Sequence, residues 1–373
     1  MAIPVRAAHL TTLTQIASGS ETPHPTAVSN AGRVVVGDVN TAMGLEAFRW
    51  TPATGTIGLG DFPGGNFQSE ARGVSADGNI IVGYGVVDAG GQGFMWTEAS
   101  GMIGLAGDLP PPNSMGALGL SGDGLIVVGS RQTSSATSGE GVRWTARGGV
   151  MALGGLPGAT SDGTTAWAAN YDGSVIVGVG ELPNYSGGEP MRWTESNGMV
   201  GLGHLPGVTN PSGIARSVSN DGTIIVGNAA GPHGSEAFRW TPELGMVGLG
   251  DLPGGIFRSV ANGISGDGSI IVGNASVDGP PGFPDPYQAA FIWDPAHGMR
   301  RLIDVLASEY GLALPGWQLI SAAAISNDGL AIVGGAQPPQ GPVVAYEVLL
   351  PEPATAALLA LATLLFRRRS QTA

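Results

Sequence analysis

Five histidines, His9, His24, His204, His233 and His297, are the side chains of this chain best suited to proton transfer or metal ligation. They fall at unrelated places, with no HxxxH and no His-plus-carboxylate spacing, so they predict no metal site and no catalytic pair. His204 stands where GLGDL segments elsewhere carry Asp61 and Asp251, and reads as an ordinary turn or surface substitution. Six aspartates stand directly before a glycine at recurring intervals: Asp77, Asp123, Asp172, Asp221, Asp267 and Asp328. A calcium loop needs several converging oxygens, as in DxDxDG, whereas these are single residues far apart, and a turn role explains them. Cysteine is absent and so is lysine, which excludes disulfides, thiolate chemistry, a Walker-type phosphate lysine, a Schiff base and a Ser-Lys dyad. There is no GxSxG, no P-loop and no GxGxxG after a lone strand. The expectation is a protein that is not an enzyme, with no cofactor.

The residues that recur belong to a repeated unit, clearest at 215–255. A short apolar stretch ends at Asn220-Asp221-Gly222, and TIIVG follows at once. Asp-Gly between two apolar runs predicts a hairpin with a type I′ turn. The continuous β-branched run Ile224-Ile225-Val226 fits a strand covered on both faces. In EAFRWT, Phe238 and Trp240 share one face while Arg239 takes the other. A turn at Glu243-Leu244-Gly245 then leads into MVGLGDL, and Pro253-Gly254-Gly255 ends the unit. That makes four short strands with no helical period.

Seven copies can be laid out from fixed points. The glycine closing the IVG-type strand stands at 37, 83, 129, 178, 227, 273 and 334, in steps of 46, 46, 49, 49, 46 and 61. The turn glycine recurs at 32, 78, 124, 173, 222, 268 and 329. Tryptophan recurs as Trp50, Trp96, Trp144, Trp193, Trp240 and Trp293, and the seventh copy has AYEV in place of AFRW. These tryptophans read as core between neighbouring sheets, with sugar stacking as the other use of such rings. Trp167 and Trp317 lie outside the repeated position and are the better candidates for a special role. The pattern predicts an all-β fold, a seven-bladed β-propeller of four-stranded blades over residues 1–350, rather than an open solenoid. The seventh copy stops after its third strand, while HLTTLTQIA at 9–17 precedes the first. An N-terminal strand completing the last blade would close the ring and remove both edges.

Composition agrees. Gly 64 and Pro 27 make up about a quarter of 373 residues, a share that suggests disorder when aperiodic but here is spaced by apolar runs. Charged residues are only 12% and the net charge is −13, which argues against nucleic acid and anionic membrane surfaces as partners. Loops at 131–139, 181–190 and 278–287 all fall between the IVG strand and the Trp strand, so they would gather on one rim, either as a binding face or by neutral drift. Residues 300–312 carry apolar residues at helical spacing and predict a short helix leading into strand. The first 20 residues have one Arg and no long apolar run, unlike a secretory signal; an upstream start, another export route or an intracellular protein all fit.

The chain changes character at 351. Pro351-Glu352-Pro353 is followed by 13 apolar or small residues at 354–366, then Arg367-Arg368-Arg369. As a helix that run spans roughly 20 Å, short of a hydrocarbon core of about 30 Å. The basic cluster fits the cytoplasmic end of a stop-transfer segment and would put the body outside.

The unit with EAFRW and SNDGTIIVG resembles the HAF repeat of probable extracellular bacterial proteins, although Glu46 and Glu236 stand where the family's name residue is His. The tail, residues 351–373, resembles a PEP-CTERM sorting signal. That resemblance implies recognition by an exosortase, removal near Pro351-Glu352-Pro353, and only transient membrane contact through a C-terminal apolar helix. The address implied is the outer surface or exopolysaccharide matrix of a Gram-negative bacterium. The expectation is a non-enzymatic surface or matrix protein for adhesion, polysaccharide or protein binding. A secreted lyase or hydrolase with its site in the channel is the alternative, and an intracellular scaffold the third.

Overall fold

The computed structural model describes residues 7–13, 22–88, 90–105, 114–132, 139–159, 163–182, 187–208, 211–279 and 287–351. In the clearest unit the strands Gly213–Val218, Ile225–Ala230, Ser235–Thr241 and Gly245–Gly248 pair in chain order, each antiparallel to the last. The turn between the first two differs from expectation. Ser219 pairs with Ile224 across a four-residue loop, with Gly222 N–H donating to the Ser219 carbonyl at 2.9 Å. Gly222 has φ 73°, but Asp221 does not enter the left-handed region. The turn is therefore built on type I geometry with a left-handed glycine after it, not type I′, as loops of this length usually are. The serine and aspartate side chains hold it: Ser219 Oγ donates to Asp221 Oδ1 at 2.6 Å and accepts Ile224 N–H at 3.0 Å, and Asp221 Oδ1 accepts Thr223 N–H at 3.0 Å. The same set recurs at Ser75–Asp77, Ser121–Asp123, Ser265–Asp267 and Ser326–Asp328.

This turn makes stability pH-dependent. The hydroxyls of Ser219 and Ser75 hold the carboxyls of Asp221 and Asp77 below the usual range, and that of Ser174 does so for Asp172. A carboxyl whose pKa is lower folded than unfolded stabilises above its unfolded value, about 3.9, and loses that contribution as pH falls through the folded value. Denaturant midpoints should hold from pH 7 to about 4 and decline below it. Replacing Asp77, Asp172 and Asp221 together by Asn should flatten that decline; an acid limb of unchanged slope would refute the assignment.

Among the described residues the strands form six hydrogen-bonded sheets. Four have four strands each and begin with the inner strands His24–Val28, Thr164–Ala169, Gly213–Val218 and Ser259–Ile264. An eight-stranded sheet consists of two antiparallel runs of four, 69–104 and 114–152, bridged by one parallel pair, Met115 with Gln92. In the five-stranded sheet, Gln318–Leu319 and Ala324–Ile325 both pair with Ala331–Gln337, which pairs with Val344–Leu349. The N-terminal strand His9–Thr12 completes it, running antiparallel from His9 opposite Leu349 to Thr12 opposite Tyr346.

Both faces of each sheet are dry because neighbouring sheets share a core. Ile225 and Phe238 pack with Val175 and Val177 of the preceding sheet, and Val226 with Ala261, Ile271 and Phe291 of the following one. This is why Ile225-Val226 reads as a continuous apolar run. Trp240 lies on the Phe238 side in the same cluster, and Trp50 and Trp193 are buried, so the recurrent tryptophans are core. Val35, Phe48 and Trp50 of the first copy pack against Ala331, Val333, Ala345 and Leu349 of the last, which joins the ends of the repeat array. The fold is all-β with a β-propeller arrangement, not an open solenoid.

The helix expected over 300–312 spans Leu302–Ser308 and buries Leu302, Val305 and Leu306 in a core shared by the sheet of Tyr287–Asp294 and the last sheet. The short C-terminal apolar helix expected over 354–366, and with it Glu352, Pro353, Arg367, Arg368 and Arg369, lies outside the described residues. Pro351 follows Leu350, whose N–H donates to the Leu330 carbonyl at 2.7 Å. Among the described residues no helix is long and apolar enough to cross a membrane.

Candidate binding channel

The inner strand of each copy carries an irregularity at one equivalent place. In six of them the register slips by one residue, leaving Thr26, Arg72, Leu118, Trp167, Arg216 and Asn262 unpaired as β-bulges. In the seventh the inner strand is interrupted at the same point, at Ala323, between Gln318–Leu319 and Ala324–Ile325. The spacing of these residues reproduces the repeat steps of 46, 46, 49, 49, 46 and 61. A bulge re-aims the side chain it carries. Here all seven residues line one central cavity of about 410 Å³, a size that suits a small molecule.

Local sequence explains the bulge. The IVG glycine pairs with the residue just before it, Gly227 with Ala215, and a Cβ at Gly227 would sit 1.9 Å from the Ile214 carbonyl oxygen. Only glycine lets the bulged backbone come so close. The residue before the bulge is Ala71, Ala117, Ala166, Ala215, Ala261 or Ala322 in six copies, all fully buried, so a small side chain faces inward into the sheet core. Frame residues are thus fixed while the bulged residue is free to vary.

The turn end of the cavity is collared by backbone hydrogen bonds from one copy to the next. Asn30 N–H donates to Ala76 O, Ala76 to Gly122 O, Asp123 to Tyr171 O, Tyr171 to Asn220 O, Asn220 to Gly266 O and Gly266 to Asn327 O, at 2.8–3.4 Å. The last step uses a side chain: Ala31, the one non-glycine residue with left-handed φ (54°) among those described, donates its N–H to Asp328 Oδ2 at 2.6 Å.

The wall has a charge character unlike the rest of the chain. It carries Arg72 and Arg216 and, among the described residues, no carboxylate and no histidine, in a protein of net charge −13. Arg72 pairs with Glu70 two residues before it on its own strand. Arg216 donates from Nε to Asn228 Oδ1 at 3.0 Å, and no described carboxylate pairs with it. Burial lowers the pKa of its guanidinium, which nevertheless stays protonated. Asn262 Nδ2 donates to Asn274 Oδ1 at 2.8 Å and to the Ala322 carbonyl at 3.0 Å. Two polar atoms of wall residues, Trp167 Nε1 and Asn30 Oδ1, are buried without a hydrogen-bond partner.

Of the residues singled out from sequence, Trp167 lies on this wall and Trp317 does not; Trp317 packs half-buried against the core of the last sheet. The histidines stay scattered. His9 lies in the N-terminal strand, His24 meets Asp38 at 3.4 Å, His297 meets Asp294 at 2.9 Å, His233 stacks edge-on to Phe257, and His204 is exposed. Among the described residues no three His, Asp or Glu side chains gather as a metal would require. The glutamates of EAFRW cap the loop after the outer strand, Glu46 accepting Gly60 N–H at 3.1 Å and Glu236 accepting Gly250 N–H at 2.9 Å; Glu189 does the same for Gly203. The loops at 131–139, 181–190 and 278–287 leave from the ends of the strands opposite the Asp-Gly turns, and their central residues lie outside those described. Arg72 and Arg216 were not picked out from sequence. Aligning the copies on the IVG glycine would have exposed them, as one position of shifting chemistry between fixed small neighbours.

No family model matches the chain and no curated protein matches it. Solved structures do. The β-propeller domain of the Trilobed protease from Pyrococcus furiosus, described as having an open velcro topology, is similar at TM-score 0.53 and 10% identity, over 90% of this chain and 94% of that one. Prolyl oligopeptidase B from Galerina marginata is similar at TM-score 0.52 and 10% identity, over 76% of this chain and 42% of that one. TolB from Acinetobacter baumannii is similar at TM-score 0.42 and 14% identity, over 60% of this chain and 51% of that one. The chain thus spans about half or less of the last two proteins. At such identities the likeness is one of fold: this is a β-propeller protein.

Proposed function

We propose that this chain is a non-enzymatic binding protein of the cell surface or extracellular matrix, built as a seven-bladed propeller of HAF-type repeats and sorted through its tail by an exosortase. Seven blades follow if the eight-stranded sheet is two blades touching at the single Met115–Gln92 pair. The observation that carries the binding reading is the channel wall: six equivalent bulges, and a strand break at the same point of the seventh copy, that differ in chemistry on a recurring frame. That pattern suits recognition. A lyase or hydrolase would want a carboxylate pair or a carboxylate with histidine, and the described wall offers arginine and amides instead. The surface address is supported by the order Pro351-Glu352-Pro353, apolar run, Arg367-Arg368-Arg369 at 351–369. The partners proposed are an exosortase for processing and a matrix polysaccharide or surface protein for binding, with transient membrane contact through the tail.

The test is processing in the native host. Replacing Pro351, Glu352 and Pro353 by Ala should leave the protein heavier by the mass of the retained tail and held with the membrane fraction. Unchanged intact mass and unchanged distribution would sink the sorting part of the proposal.

A further inference from the structure

Trp167, Arg216 and Asn262 stand on the inner strands of three consecutive copies, Thr164–Ala169, Gly213–Val218 and Ser259–Ile264, which pack side by side. They form a continuous arc of the channel wall. From this arc we infer that the channel binds a saccharide carrying a uronic acid, with the sugar carboxylate on the Arg216 guanidinium and a sugar face against the Trp167 ring. The inference rests on the binding reading above and names its ligand.

Each part of the arc answers to part of such a ligand. A guanidinium presents a planar fork matched to a carboxylate, and Arg216 has Nε engaged by Asn228 while no described carboxylate neutralises it. A single unpaired cation balances one carboxylate; a phosphate dianion would call for more donors or cations than this wall gathers. Trp167 offers a broad apolar ring on the cavity wall, suited to the face of a sugar. A cavity of about 410 Å³ has room for a short saccharide rather than a whole folded partner. The net charge of −13 disfavours an acidic ligand on the protein at large, whereas the channel wall carries two arginines and, among the described residues, no carboxylate.

The experiment uses the full chain and calorimetric titration with a uronic acid disaccharide, with the same disaccharide after reduction of both carboxylates to alcohols, and with inorganic phosphate. Two variants are chosen because sister copies already carry those residues at the same bulge: Arg216→Asn, as at Asn262, and Trp167→Leu, as at Leu118. Thermal melting verifies that both fold. The uronic acid disaccharide should bind, and carboxylate reduction, Arg216→Asn and Trp167→Leu should each weaken it about tenfold or more. Equal binding of the reduced sugar, equal binding of phosphate, or an unchanged affinity in folded Arg216→Asn would overturn the inference. Absence of saccharide binding by a protein that is still processed at its tail removes the ligand assignment alone. An unprocessed protein that binds through Arg216 removes the sorting reading and leaves this one standing.

Discussion

Replacing Gly227 by Ala should destabilise the protein by about 3 kcal/mol or more, at the top of the range for overpacked cores. The added Cβ would lie 1.9 Å from the Ile214 carbonyl oxygen and 3.0 Å from its carbon, and both are backbone atoms with no rotamer to change. Relief requires the bulge at Arg216 to be pushed out of the sheet, which also breaks the pairing of Ala215 with Gly227 and Ser217 with Val226. Gly116→Ala is the control, since its nearest neighbour would be the Tyr84 side chain at 3.8 Å, an ordinary contact. That variant should stay within about 1 kcal/mol of the parent. Urea titration of both distinguishes them, and equal midpoints would show that the glycine is not what admits the bulge.

Removing residues 1–13 should lower stability by about 3–6 kcal/mol and make the protein self-associate. The first figure follows from two apolar side chains, Leu13 at 5% exposure and the half-buried Leu10, each contributing about 1.5–3 kcal/mol. The second follows from the edge of Val344–Leu349, which is paired by His9–Thr12 in the intact chain and would be open after truncation. Light scattering with a thermal melt checks both. A monomeric truncated chain with an unchanged midpoint would mean that closure does not depend on this strand.

Much of this frame could be read from the sequence because each unit repeats its own punctuation. The IVG glycine recurs inside the second strand of every copy, an Asp-Gly pair stands at the turn before it in six of the seven with Ala31-Gly32 in the first, and the shortened seventh copy beside the early HLTT segment forecast the closing pair. The Asp-Gly turn was misread in detail, since a two-residue type I′ hairpin and a four-residue loop ending in left-handed glycine share the same dipeptide; the Ser219 side chain decides between them. The last inner strand was expected as one run, yet breaks between Leu319 and Ala324, where the bulge falls among small residues. The channel was the least legible part. A bulge is a mismatch between two strands, so no single strand's composition encodes it. Arg216 and Arg72 look like solvent-facing arginines until the register is known, whereas Trp167 stood out because it fell off the tryptophan rhythm.

The bulge separates two jobs that most binding sites impose on the same residues. Alanine, glycine and the hydrogen-bonded collar carry the frame, so the bulged side chains at the lumen bear little of the packing. Seven single-residue exchanges could therefore re-key the lumen for a new guest, one spoke at a time, without the repair mutations that redesigning a packed pocket ordinarily requires. Gene duplication supplies identical spokes, and drift at one codon per spoke suffices to make them different.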